Sequence, residues 1–135
     1  MRLICSALAA LVLVLGFSLN AEDQVSYGKY LVEEVGKCQN CHTPKLETGQ
    51  FDNTKWLKGA TLDFQPLQPI ERWHKTSPDI TSGSRLWQRW GEKAILEYLQ
   101  TGLNPKGNKA DPPMPAYKMK KADAEAIIAY LKSLK

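Results

Sequence analysis

Two thiols and an imidazole stand together in the string Cys38-Gln39-Asn40-Cys41-His42. Thiols three positions apart on a helical turn fall on one side of the backbone. The histidine that follows is held close to whatever the thiols bind. A haem matches that set: each of two vinyl groups takes one sulfur, and the iron takes the imidazole. This is the c-type haem attachment string. Competing chemistries fit less well. A thioredoxin-like Cys-x-x-Cys follows a strand in a βαβ pattern, whereas the residues ahead of Cys38 carry a helical period. A plain disulfide would account for an even pair in an exported chain but leaves His42 without a role. A structural zinc site takes four protein ligands, and the only histidine beyond the string is His74.

The iron's sixth position calls for a second donor. Met114 lies in Pro112-Pro113-Met114-Pro115. Prolines hold the backbone extended and forbid a helix, so this methionine belongs to no helical core stripe. A rigid loop can present its sulfur to the iron, the His/Met pairing of cytochromes c. Met119 and His74 are the alternatives, along with an open site. Met119 reads better as a gap filler of the core, and His74 as a surface or packing residue beside Trp73.

Helices must position these groups. Val25, Gly28, Leu31, Val32 and Val35 recur at helical spacing, with Asp23 as a candidate cap and Gly36 as a stop. From about Pro44 to Gly83 no period is sustained, and Pro44, Pro66, Pro69 and Pro78 punctuate the stretch. So long a loop is unusual in a compact domain. It is explained if Trp56, Leu57, Leu62, Phe64, Leu67, Ile70 and Trp73 wrap an apolar cofactor. A second helix begins near Trp90, with Ala94, Ile95, Tyr98 and Leu99 as its stripe and Gly102 as its stop. The last runs from about Ala122 to Leu134, lined by Ala124, Ile127, Ile128, Leu131 and Leu134. Its acidic start and basic end suit the helix dipole.

The chain of 135 residues opens with MRLICSALAALVLVLGFSLNA. Arg2, the apolar run from Leu3 to Leu19 and the small Ala21 follow the order of a secretory signal. Residues 1–21 are thus expected to be a cleaved leader, Cys5 leaving with it, and residues 22–135 one exported, periplasmic domain. The apolar run is short for a membrane span, and nothing after it is apolar enough to cross. A domain this small has a thin core, to which a large bound cofactor would add. The formal charge of +4 includes Arg2 of the leader. Without a basic helix or aromatic–basic interleaving, this charge gives no case for nucleic acid.

With these residues in view, the chain resembles a class I cytochrome c with one haem. It is similar to the cytochrome c domains in the cytochrome subunits of bacterial membrane alcohol dehydrogenases. The likeness rests on GKYLVEEVGKCQNCHTP, on PDIT before a Trp-containing segment, on LQTG, on PPMPAY and on DAEAIIAYLKSL. It implies an all-α class I cytochrome c fold, three to five helices wrapped around one covalent haem with long irregular loops. The first and last helices would cross near Gly28 and Tyr130. Cys38 and Cys41 would hold haem c, and His42 and Met114 would ligate its iron. The implied function is electron transport between redox proteins, a dehydrogenase or cytochrome donating and an oxidase or cytochrome accepting, without catalysis. The protein would act as a monomer or within a complex. Two alternatives differ from a free carrier: a haem-based gas or redox sensor, and an electron-entry subunit of a dehydrogenase complex. One or two of Trp56, Trp73, Trp87 and Trp90 are expected against the haem. Arg72 and Arg85 are candidates for its propionates, and Lys118, Lys120 and Lys121 for the rim of its exposed edge.

Overall fold

A computed structural model of the protein describes residues 21–134. Apart from Ala21, the expected leader lies outside the described residues. Among the described residues the chain folds as four α-helices with long connections: α1 (Ala21–Tyr30), α2 (Gln39–His42), α3 (Arg85–Thr101) and α4 (Lys121–Ser133). Among the described residues no helix is long and apolar enough to cross a membrane.

Asp23 lies inside the first turn of α1 instead of capping it, where with Glu22 it faces the positive end of the helix dipole. The helix continues as a wider π turn over Leu31–Val35 and closes at Gly36, whose N–H donates to Leu31 O at 2.7 Å. Lys37 then takes a left-handed φ of 49° and redirects the chain into α2. The π turn lets Val32 stay buried while the Cys38 N–H donates to Val32 O at 3.0 Å. The attachment string is thereby fastened to α1.

α1 packs closely against α4. Gly28 makes this possible: a Cβ there would run into the Ala126 carbonyl and come within 2.9 Å of the Tyr130 Cβ. The expected crossing is therefore present. It also buries Ala126 and Tyr130, which lie off the apolar stripe of α4 that holds Ala124, Ile127, Ile128 and Leu131. α4 is buried on two sides, by α1 and by the rest of the core.

α3 begins earlier than its stripe indicates. Ser84 Oγ accepts the Trp87 N–H at 3.4 Å, and a first helical segment leads to Gly91. There φ 75° and ψ 162° break the helix, a conformation open to glycine and costly for other residues. The second segment ends at Gly102, as expected.

The stretch between α2 and α3 is largely irregular, but its middle is pinned. Strands β1 (Ala60–Thr61) and β2 (Thr76–Ser77) pair antiparallel, Ala60 with Ser77 and Thr61 with Thr76. They close a loop over residues 62–75. Leu57, fully buried at a φ of 57°, anchors the earlier part. Its N–H donates to Thr43 Oγ1 at 2.9 Å, and its carbonyl accepts the Ile80 N–H at 3.0 Å. A left-handed residue costs about 1–2 kcal/mol. Full burial of a leucine side chain contributes about 1.5–3 kcal/mol, enough to offset it. The core consists of Val32, Leu57, Trp87, Ile95, Ile127, Ile128, Tyr130 and Leu131.

Candidate haem-binding site

The helices and the long connections enclose a cavity of about 350 Å³. Cys38, Cys41 and His42 all line it, as do Ile95 of α3 and Ile127 and Leu131 of α4. The sequence achieves this with one short helix. The Cys41 and His42 N–H groups both turn back to Cys38 O, at 3.2 and 2.9 Å. The hydroxyl of Ser77 on β2 donates to the Cys41 carbonyl. The string is thus held from both sides.

His42 is buried, and its Nδ1 lies 2.8 Å from the Pro78 carbonyl. A carbonyl only accepts, so Nδ1 carries the proton and Nε2 keeps its lone pair. Fixing one ring nitrogen in this way is how a protein prepares the other for a metal. Burial lowers the His42 pKa, against smaller opposing effects of the Pro78 bond and Asp79. The ring therefore stays neutral, as a ligand must. Burial pushes the Cys38 thiol up to about 11 and raises that of Cys41 as well. A redox-active dithiol needs a lowered thiol pKa, so this environment argues against that chemistry. Both thiols are free. Among the described residues no three or more His, Cys, Asp and Glu side chains gather to hold a metal ion. Neutral thiols and a poised imidazole on one apolar cavity fit a haem.

Met114, Met119 and His74 all line the same cavity. Their surroundings differ. Met119 also packs against the buried core, and its N–H donates to Leu99 O at 3.0 Å. His74 is exposed, with Nε2 3.1 Å from Asp111 Oδ2. Met114 is half-buried and is not among the side chains packed on the core.

Trp87 and Trp90 line the cavity, whereas Trp56 and Trp73 do not. Trp87 donates its Nε1–H to Ile80 O at 2.8 Å, and Trp56 donates to the Tyr130 hydroxyl at 3.1 Å. Trp73 sits edge-on to Phe64 with its Nε1 buried and unbonded. Of the residues expected to wrap the cofactor, only Leu62 reaches the cavity. Leu57 fills the core instead, and Phe64, Leu67 and Ile70 are exposed on the loop closed by β1 and β2. Arg72 pairs with Asp111, and Arg85 does not reach the cavity. Neither do Lys118, Lys120 and Lys121, all exposed; the cations that line it are Arg89 and Lys109.

Other lining residues carry only weak signals in the sequence. Leu86 and Arg89 belong to the first segment of α3, and their i, i+3 spacing is the one available pointer. Tyr117 donates its hydroxyl to Gly36 O at 3.1 Å, joining the Met114 loop to the turn before Cys38. The Pro78 carbonyl has no signature, since any residue type supplies one.

These features mark the class: a small all-α domain built to enclose haem. Residues 25–135 match the family model for cytochrome c. The chain belongs to this family of electron carriers with covalently bound haem c. It is similar to a protein of Cereibacter sphaeroides described as "Diheme cytochrome c-type". The two are 34% identical over 110 residues, which cover 78% of this chain and 33% of that protein. It is also similar to the fructose dehydrogenase cytochrome subunit of Gluconobacter japonicus, 28% identical over 87% of this chain and 24% of the subunit. The cytochrome c subunit of the quinone alcohol dehydrogenase of Gluconobacter oxydans is 30% identical over 61% of this chain and 17% of that subunit. The chain thus spans a third or less of the length of these relatives.

Proposed function

We propose that the chain carries single electrons on one haem c, exported to the periplasm by residues 1–21 and folded over residues 22–135. Cys38 and Cys41 would hold the haem by thioether bonds. His42 Nε2 and the Met114 sulfur would take the axial positions. The observation that carries the proposal is the His42 Nδ1–H bond to Pro78 O beside two cavity-lining thiols. Bound here, the haem supplies a reversible one-electron iron couple, whose potential His/Met ligation raises. The chain orients the imidazole through Pro78 and keeps water off the site with apolar side chains. The Pro-locked loop brings a neutral sulfur whose ligation needs no proton change. His42 and Met114 together would leave a substrate no free site on the iron, so the protein would carry electrons without catalysing a reaction.

The names of the relatives favour one partner class. Two are cytochrome subunits of dehydrogenases, so a dehydrogenase is the proposed donor, with this chain acting as a free carrier or as an electron-entry subunit. The test of the site is chemical. Haem should resist extraction by acidified organic solvent, and mass spectrometry should show a single haem added to a chain starting near Glu22. Cys38→Ala and Cys41→Ala should each leave one thioether, and the double variant none. Haem that washes out of the native protein, or two haems per chain, would overturn the proposal.

A further inference from the structure

Asp111 stands three residues before Met114, and the loop over residues 62–75 grips it. The Arg72 guanidinium pairs with Asp111 Oδ1. The ring Nε2–H of His74 donates to Oδ2 at 3.1 Å. Beside them the His74 backbone N–H donates to Pro112 O at 2.8 Å. The carboxylate is thus held on both oxygens while the Asp111 carbonyl accepts the Met114 N–H at 3.2 Å. Arg72 adopts a φ of 61° in this arrangement, uncommon for a residue with a side chain.

We propose that Asp111, clamped by Arg72 and His74, is a positioning residue that keeps the Met114 loop closed over the cavity. The proposal rests on the reading of Met114 as the iron's second axial ligand. Its physical basis is stiffness. Only Pro112 and Pro113 separate Asp111 from Met114, and their rings fix φ. Restraint at Asp111 therefore reaches Met114 with little lost to chain flexibility. Downstream, Tyr117 bonds Gly36 and Met119 bonds Leu99. Upstream, the clamp supplies the matching anchor. The far side of the clamp is firm because β1 and β2 pin both ends of the gripping loop. An isolated surface pair contributes little. Here two donors converge on a carboxylate only 30% exposed, with the His74–Pro112 backbone bond beside them, and charge-assisted bonds are the stronger kind.

The test uses the haem-loaded protein and its Arg72→Ala, Asp111→Ala, Arg72→Lys and double Arg72→Ala/Asp111→Ala forms. Two quantities are read: the rate of carbon monoxide uptake by the ferrous protein, and the temperature at which the ferric near-infrared sulfur–iron band disappears relative to global unfolding. Arg72→Ala should speed uptake by roughly tenfold, the scale expected when one hydrogen bond to a charged group is removed, and Asp111→Ala, which frees both donors, by at least as much. Each should also lose the band well below its unfolding temperature. The double variant should be no worse than Asp111→Ala alone, since Arg72 acts through that carboxylate. Arg72→Lys should recover part of the native rate. Native uptake and an intact band in both alanine variants would overturn the clamp alone, as would effects that multiply in the double variant. A native protein that lacks the band and binds the gas promptly would overturn the Met114 reading and the clamp with it. If Asp111→Ala fails to mature, Arg72→Ala against Arg72→Lys decides.

Discussion

Gly28 lies against the Ala126 carbonyl so closely that no side chain fits between α1 and α4. The obstacle is backbone, which cannot rotate aside as the end of a side chain can. Gly28→Ala should therefore destabilise the holoprotein by about 1–3 kcal/mol through overpacking, despite the better helix propensity of alanine. The denaturant midpoint measures this. An unchanged midpoint would show that the helices separate at little cost.

Tyr130, one turn past Ala126, ties three elements together. Its hydroxyl accepts from Trp56 Nε1 and donates to the Glu33 carboxylate. Tyr130→Phe should leave two polar groups short of a partner and cost about 1–3 kcal/mol. The variant also has a pH signature. Burial, then the bond to Glu33, raises the Tyr130 pKa, with the Trp56 bond acting the other way. A phenol that holds its proton more tightly when folded stabilises fully below its unfolded pKa, about 10. That contribution fades as pH rises from there toward the folded value. Stability should fall with pH in the alkaline range, and more steeply for the native protein than for Tyr130→Phe. Equal slopes in the two proteins would show that this hydroxyl does not titrate differently on folding.

What could be read from residues alone follows from how local each signal is. The attachment string is five consecutive residues, and its placement on a short helix facing a cavity follows from that spacing. The stripe of α4 and the stop at Gly102 are local patterns too, and both are present. The failures are non-local. Asp23 resembles a cap, but no side chain reports that the helix continues before it. Leu86 and Arg89 precede a break at Gly91 that hides their helix from a single-period reading. Phe64, Leu67 and Ile70 are apolar and so read as buried, yet the two-residue strands that close their loop leave no hydrophobic alternation to detect. The partners of His42 and Asp111 lie far along the chain, on the segment ending at Pro78 and at Arg72 and His74, and only the folded structure pairs them.

The three sulfur and imidazole candidates at the cavity can be separated by substitution. Met114→Ala should abolish the near-infrared sulfur–iron band of the ferric protein. Met119→Ala should keep it and instead cost about 2–5 kcal/mol of stability, as truncation of a packed methionine does. His74→Ala should keep the band at low temperature. Loss of the band in Met119→Ala with retention in Met114→Ala would move the ligand to Met119. A native protein that lacks the band altogether would point to His74 or an open position.

Carrier and sensor make opposite demands on the loop that holds Met114. A sensor signals by exchanging a ligand at the iron, so it gains from a side chain that leaves readily. A carrier gains from a coordination sphere that is the same in both oxidation states. Three prolines flank Met114, the Tyr117 and Met119 bonds hold the chain after it, and Pro112 O and Asp111 hold the chain before it. Ordering such a segment costs little entropy, because the prolines have already removed most of its freedom in the unfolded chain. The loop should therefore stay shut. The ferrous protein near neutral pH should keep its spectrum for minutes under carbon monoxide and exchange electrons reversibly at an electrode. Because Arg89 and Lys109 place positive charge at the cavity wall, transfer to an acidic partner should slow as salt rises and screens the attraction. Salt-independent transfer would remove those two cations from the docking surface without touching the carrier reading. Prompt gas binding by the native ferrous protein, together with no measurable electron exchange, would replace the carrier with the sensor.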